Sequence, residues 1–352
     1  MAASILSCGD DEIYIPIIEE NPISPVVFDI DAVPYQTLSE YNLYEGNMAD
    51  LNPVYGVLPY DLISPLFSDY AHKKRFVWMP NDVSATYEND YSILNFPIGT
   101  MLIKNFYFDD ILPVAETKII ETRIMIKKSS GWVFANYKWN DAQTEAVFDL
   151  NGSFKAFDFL VDDEPKSVNY RVPSGSECFT CHKAENDSPV AIGPKPQNLN
   201  KSLNYSDGTK NQLEKWVEMG YLTGTIPQNI ESLVEWDDET QDLETRVRSY
   251  LDINCAHCHS DNRHCDYRPV RFAFNESSDI SNLGVCIVPH TNIDPSLTYI
   301  INPGNSERSV IARRLNATEE SVRMPLLGRT LKHEKGVQLI EEWINSLNII
   351  CE

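Results

Sequence analysis

Two short segments carry the residues best suited to chemistry. Cys178-Phe179-Thr180-Cys181-His182 and Cys255-Ala256-His257-Cys258-His259 share one spacing, Cys-x-x-Cys-His. Two thiols three positions apart sit on one turn of backbone, where each can form a thioether with a haem vinyl group. The residue that follows then sets an imidazole beneath the iron. Cys178, Cys181, His182, Cys255, Cys258 and His259 therefore predict two covalently attached haems of the c type. Zinc held by two Cys-x-x-Cys knuckles is the competing chemistry, but it asks for no histidine after each pair. A thioredoxin-like redox pair needs a βαβ setting, which neither segment has.

The sixth iron ligand decides what such a haem does: an axial methionine raises the potential and suits electron transfer, whereas an open site admits small ligands. Met324, in Arg323-Met324-Pro325, lies 65 positions after His259 and precedes an apolar helical stripe, which marks it as ligand to the second iron. For the first iron, Met219 reads equally as a ligand or as a buried helical residue. His72 is a rival, although its neighbours Lys73, Lys74 and Arg75 suggest a solvent-facing position. With Asp69, those cations read as a solvated charged surface. Pro194, after Gly193, is placed to offer the carbonyl that orients the first proximal imidazole.

The elements that must position these groups fall into two styles. From Val26 to about Val168 the pattern is β. Ile120, Thr122, Ile124 and Ile126 alternate with charged or longer residues, Ser129-Ser130-Gly131 makes a turn, and Trp132 to Trp139 gives the partner strand. Phe96 to Phe108 reads as a further strand or strand pair. After about residue 170 the period turns helical: Leu213, Trp216, Val217 and Tyr221; then Leu243, Val247, Tyr250 and Leu251; then Val337, Ile340, Trp343, Ile344 and Leu347. The expected fold class is α+β, an N-terminal antiparallel sandwich or barrel-like domain followed by two mainly α cytochrome c-like domains. The expected boundaries are a tether over 1–25, the β domain over 26–168, the first haem domain over 169–235 and the second over 236–352.

Composition bounds the setting. The net charge of -23 argues against nucleic acid and anionic membrane surfaces as partners, and no apolar run is long enough to span a bilayer. Ile5-Leu6-Ser7-Cys8 followed by Gly9-Asp10-Asp11-Glu12 reads as the end of a lipoprotein signal peptide with an acidic export tag, so a lipidated Cys8 would tether the chain to a membrane. Haem attachment of this kind occurs outside the cytoplasm, where disulfides persist; Cys265–Cys286 is the expected bridge, leaving Cys351 free.

The run Glu244 to His259, ending Asp252-Ile253-Asn254-Cys255-Ala256-His257-Cys258-His259, resembles the lead-in of a family of exported dihaem c-type cytochromes. Asn302-Pro303-Gly304-Asn305, Arg323-Met324-Pro325 and Trp343-Ile344-Asn345 are similar to the same family. So are Ser64-Pro65-Leu66-Phe67-Ser68-Asp69-Tyr70, Arg75-Phe76-Val77-Trp78 and Phe96-Pro97-Ile98-Gly99-Thr100. The resemblance covers residue 55 to the end and implies a β domain, two cytochrome c units and a periplasmic or surface location, including an outer-membrane lipoprotein. Leu326 departs from it, standing where a second proline is frequent. The expected function is electron transfer between redox partner proteins; the alternative is a peroxidase- or oxygenase-like enzyme with an open first haem beneath the β domain.

Overall fold

A computed structural model describes residues 22–184, 187–291 and 293–352. The expected lipid site Cys8 and its acidic neighbours lie outside the described residues. The strands of the first half are β1 (Leu58–Tyr60), β2 (His72–Trp78), β3 (Ala85–Thr86), β4 (Met101–Ile111), β5 (Glu116–Lys128), β6 (Gly131–Trp139), β7 (Ala146–Phe148), β8 (Ser153–Val161) and β9 (Glu164–Val172). Eight of these form one antiparallel sheet in the order β1-β2-β4-β5-β6-β7; β8 joins β4 at Ile111 and pairs with β9. The β5–β6 hairpin turns where the sequence places it, with Lys128 opposite Gly131.

One detail of β5 departs from simple alternation. A register shift opposite Phe106 and Tyr107 leaves Ile120 unpaired between Glu121 and Ile119. The bulge turns Ile119 toward the core that also holds Ile124 and Ile126, and Ile120 toward a second core with Phe106 and Phe108. The strand is therefore covered on both faces, and even Glu121 is fully buried.

After the sheet come α1 (Gly175–His182), α2 (Pro196–Leu199), the hairpin β10 (Ser202–Tyr205) and β11 (Gly208–Asn211), α3 (Gln212–Glu218) and β12 (Leu222–Thr223), which pairs in parallel with β3. The last third holds α4 (Leu243–Leu251), α5 (Val310–Asn316) and α6 (Glu334–Ser346), joined by long irregular chain. The expected pair of mainly α cytochrome c-like domains is not what this chain adopts. Its architecture is a dominant antiparallel sheet with a few, mostly short, helices.

Residues 169–235 show the physical reason. Their helices run 8, 4 and 7 residues, too short for a bundle of their own. Their apolar side chains Leu199, Leu213, Trp216 and Leu222 instead share a core with Leu58, Val77, Phe96 and Trp132 of the sheet region. The final segment does gather its own core, where Val247, Leu251, Leu283, Ile340 and Trp343 pack together.

Candidate cofactor site

The strand β9 delivers the first Cys-x-x-Cys-His segment. Three residues after β9 ends, α1 starts with Ser174 as its N-cap, and the Glu177 carboxylate accepts from the Ser174 amide at 2.7 Å. Arg171, still on β9, grips Glu177 at 2.7 Å and ties the helix to the sheet. Burial pushes the Glu177 carboxyl upward, but the bonds from Arg171 and Ser174 outweigh it and hold it below its ordinary value. The buried Cys178 thiol accepts from Asn136 Nδ2 on β6 at 3.7 Å, and burial raises its pKa.

His182 closes the helix. Its Nδ1 lies 2.7 Å from the Val190 carbonyl, and the Phe134 ring packs edge-on at 5.3 Å. A donating Nδ1–H leaves Nε2 as the metal-binding nitrogen, the usual arrangement for a ligating histidine. Burial holds this imidazole down to about 4. The orienting carbonyl is thus Val190 and not Pro194, a correction of the sequence reading. The loop folds back early, with Val190 also donating to the His182 carbonyl, while Pro194 O accepts from Leu94 of the sheet region.

The second segment follows α4 through one π-helical turn, Asp252–Ala256, a geometry found mostly at functional sites. The Cys255 carbonyl accepts from both Cys258 and His259 amides, at 3.1 and 3.0 Å, which folds the segment back on itself. His259 packs edge-on against Phe272 at 5.5 Å, and burial holds its imidazole down to about 4. Burial also raises the Cys255 thiol to about 12.

Two cavities meet between these segments. The first, about 150 Å³, is lined by Cys178, Cys181 and His182, with Leu102, Ile124 and Phe134 of the sheet. The second, about 250 Å³, is lined by Cys255, Cys258, His259 and Met324, with Phe272 and Leu315. Cys181, Asn254, His257, Leu315, Pro325 and Leu327 belong to both walls. At that boundary the donor atoms of Cys181, His257 and Cys258 all lie within 4.8 Å of one another. The Cys181 thiol is held well below its ordinary pKa, first by its hydrogen bond with Cys258 and further by His257, while the same bond raises Cys258.

This donor set was tested against both chemistries. Each cavity carries two thiols and the imidazole that follows them, on a mostly apolar wall, which fits a covalently held haem. His259 Nδ1 is buried without a hydrogen-bond partner among the described residues, the kind of orphan tolerated where a further group completes a site. A four-thiol zinc centre from the two knuckles needs all four thiols to converge, whereas Cys181, Cys258 and His257 together offer three donors of the zinc type. Only Cys181 and Cys258 do so; Cys178 turns to Asn136 and Cys255 lies outside the cluster.

Met324 reaches the cavity of His259 because its loop is pinned. Its amide donates to the Arg314 carbonyl at 3.1 Å, and its carbonyl accepts from Arg329 at 2.8 Å. Arg329, 4% exposed, also donates to the carbonyls of Arg314, Leu315, Ala317 and Leu331. Met219 lies elsewhere. It follows α3 as its C-cap and packs into the core shared by sheet and helices, lining neither cavity, so the reading of it as an iron ligand is corrected. His72 is exposed on β2 and pairs with Asp109 at 3.6 Å.

The bridge in the structure is Cys286–Cys351, with Cys265 free, and not the expected Cys265–Cys286. The Cys265 amide is held by the Cys258 carbonyl at 2.9 Å and its side chain faces the second cavity, whereas the C-terminal chain brings Cys351 to 5.3 Å from Cys286 between α-carbons.

Sequence reasoning also missed how the charged cluster of Asp69 and the first half of β2 is used. Asp69 and Arg75 are buried, 2% and 5% exposed. Asp69 accepts from the amides of Thr330 and Leu331, both at 2.7 Å, and Arg75 pairs with Asp61. Arg75, Lys104 and Arg123 stand in register across β2, β4 and β5, and the last two line the first cavity. Lys104 has no carboxylate within ion-pair distance among the described residues, and burial drives its ammonium well below its ordinary value. His333, at the start of α6, lines the same cavity. A roster of all seven histidines would have put it among the ligand candidates.

No protein-family model matches the chain, nor does any curated protein or solved structure. No helix among the described residues is long and apolar enough to cross a membrane.

Proposed function

We propose that this chain is a dihaem c-type cytochrome, of the exported family its motifs resemble, that passes electrons between redox partner proteins outside the cytoplasm. One observation carries the reading: each of two adjoining cavities holds a complete Cys-x-x-Cys-His set, and the two sets touch at Cys181 and Cys258. When bound, a haem at each site supplies a one-electron iron couple. The chain's own residues do the rest. Cys178 and Cys181 tether one group, Cys255 and Cys258 the other, and His182 and His259 present nitrogen from a fixed direction. Met324, lining the same cavity as His259, would offer a soft thioether to the iron and so favour a higher potential there. Lys104, which lines the first cavity, would be available to a haem carboxylate that restored its charge, whereas Arg123 beside it is already paired with Glu121. The shared wall puts the two attachment points close enough for electrons to pass without leaving the protein interior.

The Cys286–Cys351 disulfide supports an oxidising compartment, periplasm or cell surface. The strongly negative charge suits a basic partner at the electron-exchange surface. Denatured protein from a host that matures c-type cytochromes should carry two added haem masses, and the reduced native protein should show low-spin spectra. A bare chain, or a bound zinc ion, would refute the proposal; a high-spin ferric signal from one iron would favour the enzymatic alternative.

A further inference from the structure

Resting on that reading, we infer that His333 is the axial ligand of the first haem iron, opposite His182, which makes this site a bis-histidine centre beside a histidine–methionine one. His182 and His333 line the same cavity, each held by a different set of neighbours. His182 is surrounded by Phe134 of β6 and by Val190. His333 is surrounded by Phe67, Tyr70, Trp236 and Tyr250. Met125 also faces the cavity, but it stands directly across the β5–β6 pair from Phe134, on the wall that already holds His182.

The imidazole of His333 is fixed as a ligand must be. Phe67 stacks on it at 4.0 Å and 8°. Nδ1 lies 3.0 Å from the Tyr250 hydroxyl, an oxygen that can accept its proton, and Nε2 makes no hydrogen bond among the described residues. That is the pairing a metal-bound histidine uses: one ring nitrogen anchored, the other left for the metal. A glycine inside α6 makes the anchoring feasible. A Cβ at Gly336 would stand 2.6 Å from His333 Nδ1 and overlap the Tyr250 hydroxyl. Glycine disfavours helix relative to alanine, so the close approach of Tyr250 and His333 is kept against helix propensity.

The segment from Phe67 to Tyr70 then explains what the sheet region contributes. Phe67 is the stacking plate, and its amide donates to Asn254 Oδ1 at 2.9 Å, beside Cys255. Asp69 holds the Thr330 and Leu331 amides, and Tyr70 donates its hydroxyl proton to the Lys332 carbonyl at 3.0 Å. Asp69 and Tyr70 both occupy the left-handed region, at φ 51° and 65°. Consecutive non-glycine residues there are uncommon and persist where surrounding contacts over-determine them. Those contacts converge on Thr330, Leu331 and Lys332, the three residues leading into His333.

Spectroscopy of the wild-type holoprotein tests this without relying on any variant. Near-infrared magnetic circular dichroism and low-temperature electron paramagnetic resonance should resolve one His/His and one His/Met ligand set. Two His/Met sets, or a high-spin first iron, would overturn the assignment. His333→Met should keep both haem masses, remove the His/His signature and raise the midpoint potential of one haem only. Unchanged spectra and potentials with both haems attached would equally overturn it. Loss of both haem masses in the wild-type protein would instead strike the dihaem reading beneath it.

Discussion

The two Cys-x-x-Cys-His segments are alike in sequence and unlike in how the molecule supports them. The first rides on α1, which Arg171 of β9 ties to the sheet through Glu177, and its neighbours share a core with the sheet. The second grows out of α4 through a π-helical turn and sits over a core made by the last third of the chain alone. A local motif of five residues gathers two thiols and an imidazole, whereas the other donors lining each cavity come from distant chain: Met324 on a loop pinned by Arg329, His333 on a segment pinned by Asp69. The difference teaches that one Cys-x-x-Cys-His segment can be positioned by a sheet as well as by helices.

The sharpest way to separate the two sites is to delete the thiols pair by pair. Cys255→Ala with Cys258→Ala should reduce the covalent haem count from two to one and leave the first site's spectrum recognisable, because that site is buttressed by the sheet. Cys178→Ala with Cys181→Ala should remove the other haem. Mass spectrometry under denaturing conditions reads both results. If either double variant loses both haems, the two sites mature as one unit and the comparison between them fails.

A second break targets the core of the last third. The Cys286–Cys351 bridge closes a loop of 65 positions, and removing such a crosslink costs about 4 kcal/mol through the unfolded state. Cys286→Ser should therefore lower stability by that amount in equilibrium denaturation without reductant. If the second region folds on its own core, near-ultraviolet signals from Trp343 and Trp236 should melt before those of the sheet. A single shared transition, shifted as a whole, would show instead that the sheet and the last third unfold together.

What could be read from the sequence follows from range. The five-residue motifs, the β5–β6 hairpin and the stripes of α4 and α6 are local patterns, and each is found where its period or turn chemistry places it. Met324, singled out as a soft donor beside proline between the second Cys-x-x-Cys-His segment and a final helix, does line the cavity of His259. Two helical domains were over-read: of the stripe Leu213, Trp216, Val217 and Tyr221, the first three belong to a 7-residue helix that ends before Tyr221, Val217 is exposed, and Trp216 is buried against Tyr60 and Phe96 rather than in a bundle. Cys351, Asp69 and His333 were missed because their partners lie 65, 261 and 83 positions away. No periodicity reports such distances, and a buried aspartate in a run of charges looks like surface until its amide partners are seen.

The smallest expected effect tests the sheet's grip on the first site. Glu177 closes the capping box of α1 while holding Arg171 on β9, so it is the joint between sheet and attachment helix. Because its carboxyl is held below its ordinary value of 4.5, folding favours the ionised form. The stabilisation is fully present above about that pH and fades as the pH falls through the lower, folded value. Glu177→Gln keeps the shape and removes the charge, and should cost about 1 kcal/mol at neutral pH, with the deficit shrinking on acidification. Urea denaturation at a series of pH values measures it. A deficit that stays constant down to the acid limb would mean that α1 is held by its packing alone, and the first site would then depend on the sheet for its walls but not for its aim.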